Sequence, residues 1–221
     1  MTKREFRQAF MDTVPVMTGY LFLGFGFGLL MQQKGYGVLW SCTMSVFIYA
    51  GSMQYVAVNL LTGGAGLVTT ALTTLMVNAR HLFYGISMVD HYRDAGKKKP
   101  YLIFALTDET YSLVAGKNKP HSYCLTVSVL NQSYWVAGTA LGALAGTLIP
   151  VELEGIGFVL TALFVTIFTE QWLTSKDHKP AILGVVITAV CLLLFGKDVF
   201  LIPSMALIAL SLLVTRGKEN G

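Results

Sequence analysis

Residues 35–79, GYGVLWSCTMSVFIYAGSMQYVAVNLLTGGAGLVTTALTTLMVNA, contain no Asp, Glu, Lys or Arg. A membrane-spanning helix needs about 20 mostly apolar residues, so this stretch is long enough for two passages through a bilayer. Further uncharged stretches lie at 13–33, 120–151, 180–196 and 199–215. The sequence therefore predicts an all-α fold, a polytopic membrane helix bundle.

The composition of the whole chain supports the same conclusion. Charged residues make up 13% of the 221 residues and hydrophobic residues 54%, whereas about a quarter of a soluble domain is charged. The basic residues lie between apolar segments and are not interleaved with aromatic residues, so the pattern does not favour nucleic-acid binding. The three cysteines have no CxxC spacing, which indicates neither a disulfide framework nor a zinc or other metal site.

Gaps between charges, together with Gly and Pro, divide the chain into about seven apolar segments. They are predicted at 14–33, 36–61, 64–90, 123–149, 155–173, 180–196 and 199–215. An eighth stretch, 101–115, is short and acidic, which favours a re-entrant or cavity-lining helix because polar groups at membrane depth need protein or water around them.

The distribution of Lys and Arg predicts cytoplasmic N- and C-termini and a multi-pass protein of the bacterial inner membrane. The apolar stretch after Lys3, Arg4 and Arg7 is longer than a signal-peptide core, so we expect it to be a retained first span. If every segment crosses the membrane once, the Lys-rich loop 91–100 lies outside, although basic loops are expected on the cytoplasmic side. Either 36–61 enters the membrane and returns, or 101–115 crosses and this loop departs from the rule.

We expect one transmembrane domain over residues 1–221. Gly26, Gly35 and Gly37 recur at an offset of 120 as Gly146, Gly155 and Gly157. This weak echo is compatible with chance or with two related halves, about 10–115 and 122–215, as in transporters built from repeats around a central site.

Glycines spaced by four occur in the first apolar segment, at Gly24 and Gly28, and in the 123–149 segment, at Gly138, Gly142 and Gly146. This spacing places small residues on one helix face, where two helix backbones can approach closely. We interpret both runs as helix-packing surfaces.

The run Ala50-Gly-Ser-Met-Gln54 lies in the middle of the 36–61 segment. Gly51 and Ser52 at membrane depth can open a helix, and the freed backbone groups, with Gln54, can hold the charged ends of a zwitterion. Phe47 and Met53 are candidates for binding its apolar side chain. The alternative is a continuous helix in which Gln54 bonds to a neighbouring helix.

Asn78, Arg80 and His81 form a dense polar cluster at membrane depth. On a continuous helix Asn78 and His81 lie about 60° apart and Arg80 about 160° from Asn78, so Asn78 and His81 share a candidate cavity face. Arg80 then either pairs with a carboxylate of another helix or extends to the interface. His81 can titrate near neutral pH or bond within the bundle.

Asp108, Glu109 and Glu170 are the candidate carboxylates. An ionisable residue inside a membrane segment is expensive and indicates function or ion pairing. The alternatives are solvated loop positions for Asp108 and Glu109, and an interfacial position near Lys176 for Glu170.

Three motifs in this order and spacing resemble the AzlC family: Tyr49-Ala-Gly-Ser-Met-Gln54, Val77-Asn-Ala-Arg-His81 and Leu106-Thr-Asp-Glu-Thr110. The resemblance extends from about Phe10 to Val214. It implies a permease subunit of the bacterial inner membrane that exports branched-chain amino acids, with a small AzlD-type membrane subunit as its partner. The family has no assigned coupling residues that can be transferred, so the candidate residues above rest on their chemistry.

The resemblance thus implies a secondary transporter that exports valine, leucine and isoleucine. Overlap with methionine is expected, because an apolar pocket discriminates between such side chains by only about 1–3 kcal/mol per methylene. No cofactor is expected, and proton coupling is compatible with His81 and the carboxylates. An enzyme is disfavoured, since the chain has no HExxH, no GxSxG and no pair of His four residues apart. The alternatives are an exporter or channel subunit for another small metabolite, or a structural subunit.

Overall fold

The computed structural model describes residues 3–115, 119–148 and 177–196, together with single positions and short runs at 158–175 and 200–212. The described residues are helical and contain no strand. Their contacts divide the chain into two compact units, residues 1–160 and 161–221, which are treated separately below.

The described residues of the first unit form two long helices and six shorter ones. They are α1 (Lys3–Gln33), α2 (Gly37–Phe47), α3 (Gly51–Thr62), α4 (Leu67–Val77), α5 (Ala79–Met88), α6 (Lys99–Phe104), α7 (Asp108–Val114) and α8 (His121–Leu148), with a 3₁₀ turn at Gly96–Lys98. The second unit contains α9 (Lys179–Phe195), which has Pro180 in its first turn and ends at Gly196 with φ +72°.

The long helices α1 and α8 pack against each other through their glycines. A Cβ added at Gly24 would lie 2.7 Å from the Trp135 carbonyl oxygen, and one at Gly138 would lie 2.7 Å from the Leu21 carbonyl oxygen. Because these neighbours are backbone atoms, only glycine permits such a close approach. The predicted helix-packing role of both glycine runs is confirmed.

Aromatic side chains from α1, α3 and α8 form the core beside this contact. Trp135 meets Tyr20 edge to face at a centroid distance of 5.4 Å and stacks on Phe27 at 6.4 Å. Tyr55 of α3 packs on Phe27 and donates a hydrogen bond to the Leu23 carbonyl oxygen, 2.7 Å away. The core therefore attaches the short helix α3 to the long pair.

Three of the connections between short helices are abrupt breaks. The first separates α2 from α3 at Tyr49, which has φ +42°, a value that is strained for a residue other than glycine. The second falls at Asn78, between α4 and α5. The third covers residues 105–107, between α6 and α7, where Thr107 is extended and its hydroxyl accepts a hydrogen bond from the Thr110 N–H.

The positions of these breaks test several predictions made from the sequence. The expected discontinuity in 36–61 is confirmed, and 101–115 forms two short helices, neither long enough to span. The treatment of 64–90 as one helix is wrong, because the backbone leaves helical geometry at Asn78 (φ −95°, ψ 6°). The angular argument relating Asn78, Arg80 and His81 on one continuous helix therefore fails.

Within the described residues, α1 is the helix long and apolar enough to cross a membrane, while α2, α4 and α9 are shorter apolar helices. The prediction of about seven spanning segments is not confirmed. The segments 155–173 and 199–215 lie largely outside the described residues, as does Glu170.

Candidate functional site

The three breaks bring the first turns of α3, α5 and α7 together around Arg80. One end of the Arg80 guanidinium pairs with Asp108, with Nη1 and Oδ2 2.5 Å apart. The other end donates a hydrogen bond from Nη2 to the Ser52 hydroxyl at 2.7 Å. Of the two positions considered for Arg80, the structure places it against a carboxylate of another helix.

The Arg80–Asp108 pair has both a hydrogen-bond donor and a hydrogen-bond acceptor that are not used within the described residues. Arg80 Nε, Asp108 Oδ1 and the nearby Asn78 Oδ1 are buried without partners among the described residues. A buried polar atom without a partner costs about 1–3 kcal/mol. The side chains of Arg80 and Asp108 are 29% and 24% exposed, so parts of both side chains are open to a small ligand, whereas the three atoms without partners are themselves buried.

An apolar pocket of about 680 Å³ lies among α1, α2, α3 and α4, within the range of small-molecule sites, about 300–1,000 Å³. Its walls come from the end of α1 and from α2, α3 and α4. The lining residues are Met31, Tyr36, Trp40, Met44, Ile48, Met53, Ala57, Leu60, Leu61, Gly64, Ala65, Thr70 and Thr74. Two of these lining residues are close in sequence to the polar cluster: Met53 follows Ser52, and Thr74 lies about one turn before Asn78.

Glu109 belongs to a separate network of hydroxyl and amide groups. Its Oε2 accepts a hydrogen bond from the Tyr20 hydroxyl at 2.6 Å, and that hydroxyl also pairs with Thr107 Oγ1 at 2.7 Å. The network continues through Thr110, whose hydroxyl accepts a hydrogen bond from Asn131 Nδ2 of α8. The neighbouring carboxylates Asp108 and Glu109 therefore have different environments, one beside a cation and one beside hydroxyls.

Gln54 is fully buried between α3 and α8, and both ends of its amide are used. Its Oε1 accepts a hydrogen bond from Trp135 Nε1 at 2.9 Å, and its Nε2 donates to the Ser45 hydroxyl at 3.1 Å. The bonding of Gln54 to a neighbouring helix, one of the two alternatives, thus occurs together with the broken helix. Gly51 packs against the Trp135 ring.

The other candidate residues, Met53, Phe47 and His81, lie outside the contacts of Arg80 and Gln54 described above. Met53 lines the apolar pocket, whereas Phe47 is not among its lining residues and is 75% exposed. His81 Nδ1 lies 3.3 Å from the Asn78 carbonyl oxygen, and its ring meets Tyr84 edge to face. The structure thus brings Ser52, Arg80 and Asp108 into contact but leaves Phe47 at the periphery.

Sequence reasoning missed the hydroxyl groups around Glu109, namely Tyr20, Tyr49 and Thr107. Tyr49 is 3% exposed, and its hydroxyl has no hydrogen-bond partner within the described part of the chain. A signal was available, since tyrosines buried in apolar segments usually need a partner for the hydroxyl. These three residues, however, are far apart in sequence, so a local pattern does not show that they come together.

A second polar cluster lies at the loop after α5. His121 Nε2 is 2.8 Å from the His91 carbonyl oxygen, and Cys124 Sγ is 3.6 Å from His91 Nε2. Burial lowers the pKa of His91 below its usual value of 6.5, and the adjacent His121 lowers it further. No group of three His, Cys, Asp or Glu residues that could hold a metal ion occurs in the described ranges.

Comparison with known proteins gives one family. The sequence profile of the family described as AzlC protein matches residues 15–149. The chain is 45% identical to the branched-chain amino acid transport protein AzlC of Bacillus subtilis over 96% of this chain and 85% of that protein. It is 40% identical to an uncharacterized membrane protein of Helicobacter pylori, with 96% of each chain covered.

A more distant relative is the inner membrane protein YgaZ of Escherichia coli, which is 31% identical over 90% of this chain and 83% of that protein. No solved structure matches the chain.

Proposed function

This chain belongs to the AzlC family of membrane proteins, and we propose that it exports branched-chain amino acids across the bacterial inner membrane. One observation carries the proposal. The Arg80–Asp108 ion pair has donor and acceptor atoms without partners among the described residues. Ser52, which bonds to Arg80, directly precedes Met53 of an apolar pocket, and a zwitterion with an aliphatic side chain has the complementary groups. The name of the relative from Bacillus subtilis agrees with this substrate class.

In the proposed complex, the substrate carboxylate binds the Arg80 guanidinium, which has a free Nε. The substrate ammonium binds Asp108 Oδ1 and Asn78 Oδ1, two acceptors without partners. Charge-assisted hydrogen bonds of this kind are about twice as strong as neutral ones. The α-amino acid backbone is thus recognised by side chains from α5 and α7.

The aliphatic side chain enters the pocket lined by Met53. Methionine side chains adapt to differently branched ligands, and the pocket contains three of them, Met31, Met44 and Met53. We therefore expect overlapping transport of valine, leucine, isoleucine and methionine, with modest discrimination between them.

The helix breaks supply the mobility that transport requires. Helices interrupted at membrane depth are a feature of secondary transporters, whose substrate sites lie at such interruptions. We propose that the breaks at Tyr49 and at Asn78 change angle as access alternates between the two sides. We further propose a small AzlD-type subunit as partner, and cytoplasmic N- and C-termini.

Efflux of radiolabelled valine from preloaded cells tests this function. Cells that express the chain with its small partner should release valine faster than cells with an empty vector, and Asn78→Ala and Asp108→Asn should remove the gain. Expression with and without the partner tests the proposed subunit. If no combination accelerates efflux of valine, leucine, isoleucine or methionine, the substrate assignment is wrong, and the alternative, an exporter or channel subunit for another small metabolite, is favoured.

A further inference from the structure

Of the two adjacent carboxylates on α7, only Asp108 is held by a cation. Arg80 carries only hydrogen-bond donors, and its guanidinium contacts Asp108 Oδ2. Glu109 makes no ion pair among the described residues and bonds instead to the Tyr20 hydroxyl. The two carboxyl groups therefore differ in their partners: a guanidinium can only donate, whereas a hydroxyl can both donate and accept.

The hydroxyl network around Glu109 can satisfy both protonation states. When Glu109 is ionised, the Tyr20 hydroxyl donates to it. When Glu109 is protonated, its O–H can donate to Tyr20 Oη, and Tyr20 can turn its own proton to Thr107 Oγ1, 2.7 Å away. A hydroxyl both donates and accepts, so neither state leaves the carboxyl group without a partner.

A second observation points to the same place. The Tyr49 hydroxyl is buried without a hydrogen-bond partner within the described part of the chain, and the charge of Glu109 acts on it electrostatically. Tyr49 is also the strained residue at the α2–α3 break. An unused polar group at this position connects the Glu109 network with the backbone break that borders the substrate pocket.

The other ionisable groups that act electrostatically on Glu109 come from several elements. They are Tyr20 on α1, Tyr49 at the α2–α3 break, Arg80 and Tyr84 on α5, and Asp108 on α7. At physiological pH the tyrosines are neutral, and Arg80 and Asp108 neutralise each other. His81 on α5, which interacts with Arg80 and Asp108, is the other titratable group of this region, but it does not contact Glu109 in the hydrogen bonds of the described residues.

We infer that Glu109 is the proton carrier of the transporter and that Asp108 is not. This inference rests on the proposed export of amino acids. One proton from the outer side binds a Glu109 carboxylate oxygen and is released to the cytoplasm as one zwitterionic substrate leaves. No other bond forms or breaks, and one positive charge enters per transport cycle.

The test uses the full chain with its small partner, reconstituted into liposomes. Two assays are compared: exchange of labelled for unlabelled valine at equal pH on both sides, and uphill valine movement driven by an imposed pH gradient. Exchange needs no net proton movement, and Glu109 is not a substrate ligand in our proposal. Glu109→Gln should therefore retain exchange and reduce driven transport to the level of protein-free liposomes.

Asp108→Asn should lose both activities, because it removes a substrate ligand. Glu109→Asp keeps a carboxyl group and should retain driven transport at a lower rate, which separates loss of the proton site from misfolding. Driven transport by Glu109→Gln overturns the inference. Loss of exchange in a Glu109→Gln complex that remains monodisperse also overturns it.

A spectroscopic measurement does not depend on the substrate. The infrared difference spectrum between acidic and alkaline pH should contain the C=O stretching band of a protonated carboxylic acid that is absent in Glu109→Gln and present in Asp108→Asn. Tyr20→Phe should shift the titration of this band to higher pH, because the hydroxyl stabilises the ionised form. If the wild type fails to exchange valine, the proposed substrate is wrong. If the band persists in Glu109→Gln, the proton carrier is another group.

Discussion

Two regions of the molecule differ in how they are packed. They are the contact between α1 and α8, and the cluster of helix breaks around Arg80. In the first, glycines bring two helix backbones into direct contact, and the aromatic core packs beside them. In the second, short helices begin and end close together, and several buried polar atoms have no partner.

The difference separates a scaffold from a site. Close backbone packing cannot rearrange without losing many van der Waals contacts at once. Polar groups with unused capacity, in contrast, gain free energy when a ligand supplies the missing partners. We therefore expect substitutions at the α1–α8 contact to affect folding, and substitutions at the breaks to affect transport.

The largest effect is expected from Gly28→Ala on α1. An added Cβ would overlap the Thr139 carbonyl oxygen and the Ala143 N–H of α8, so the helices must separate. We expect little folded protein in the membrane fraction, measured by fluorescence-detected size exclusion. Gly19→Ala is the matched control on the same helix, since its Cβ meets nothing within 4 Å. Equal yields for both variants would contradict the scaffold role.

The second prediction concerns the two ion pairs of the described residues. Arg80→Lys loses the forked geometry that reaches Asp108 and Ser52 together, and valine efflux should be abolished while folded protein accumulates normally. Arg93→Lys is the control, because the Arg93–Asp90 pair is exposed and such pairs contribute about 0–1 kcal/mol. Normal efflux by Arg80→Lys would show that the forked guanidinium is not needed for substrate binding.

The third prediction returns to the core beside the scaffold. Gln54→Leu leaves the Trp135 N–H without a partner, which costs about 1–3 kcal/mol, whereas the Ser45 hydroxyl keeps its hydrogen bond to Thr139. The midpoint of thermal unfolding should fall. Adding Trp135→Phe removes the stranded N–H, so the cost of Gln54→Leu should be smaller in that background. Additive effects would show that the hydrogen bond does not stabilise the fold.

The smallest expected effect distinguishes Met53 from Phe47, the two candidates for binding the apolar side chain of the substrate. Met53→Ala removes part of the pocket wall and should raise the KM for leucine about tenfold, the equivalent of one or two methylene contacts. Phe47→Ala changes a largely exposed side chain and should leave the KM unchanged. The measurement is leucine exchange in proteoliposomes. The reverse order would place the aliphatic side chain on the outer face of α2.

Local sequence signals predicted some features well. The glycine spacing identified the α1–α8 contact, because a four-residue period defines one helix face regardless of partner. The uncharged Gly-Ser run indicated a break in 36–61. The break at Asn78 was missed because Leu67–Val77 and Ala79–Met88 together have the composition of one helix, and a single residue in a non-helical conformation leaves no compositional trace.

The sequence by itself determined the helical class, the apolar character of the segments, the polar motifs and the small-residue faces. These follow from hydropathy and periodicity, which are local properties. Only the tertiary structure decided that Arg80 pairs with Asp108 and not Glu109, and that Gln54 is a core residue. Such pairings depend on where helices distant in sequence meet, so two adjacent carboxylates with the same local pattern acquire different partners.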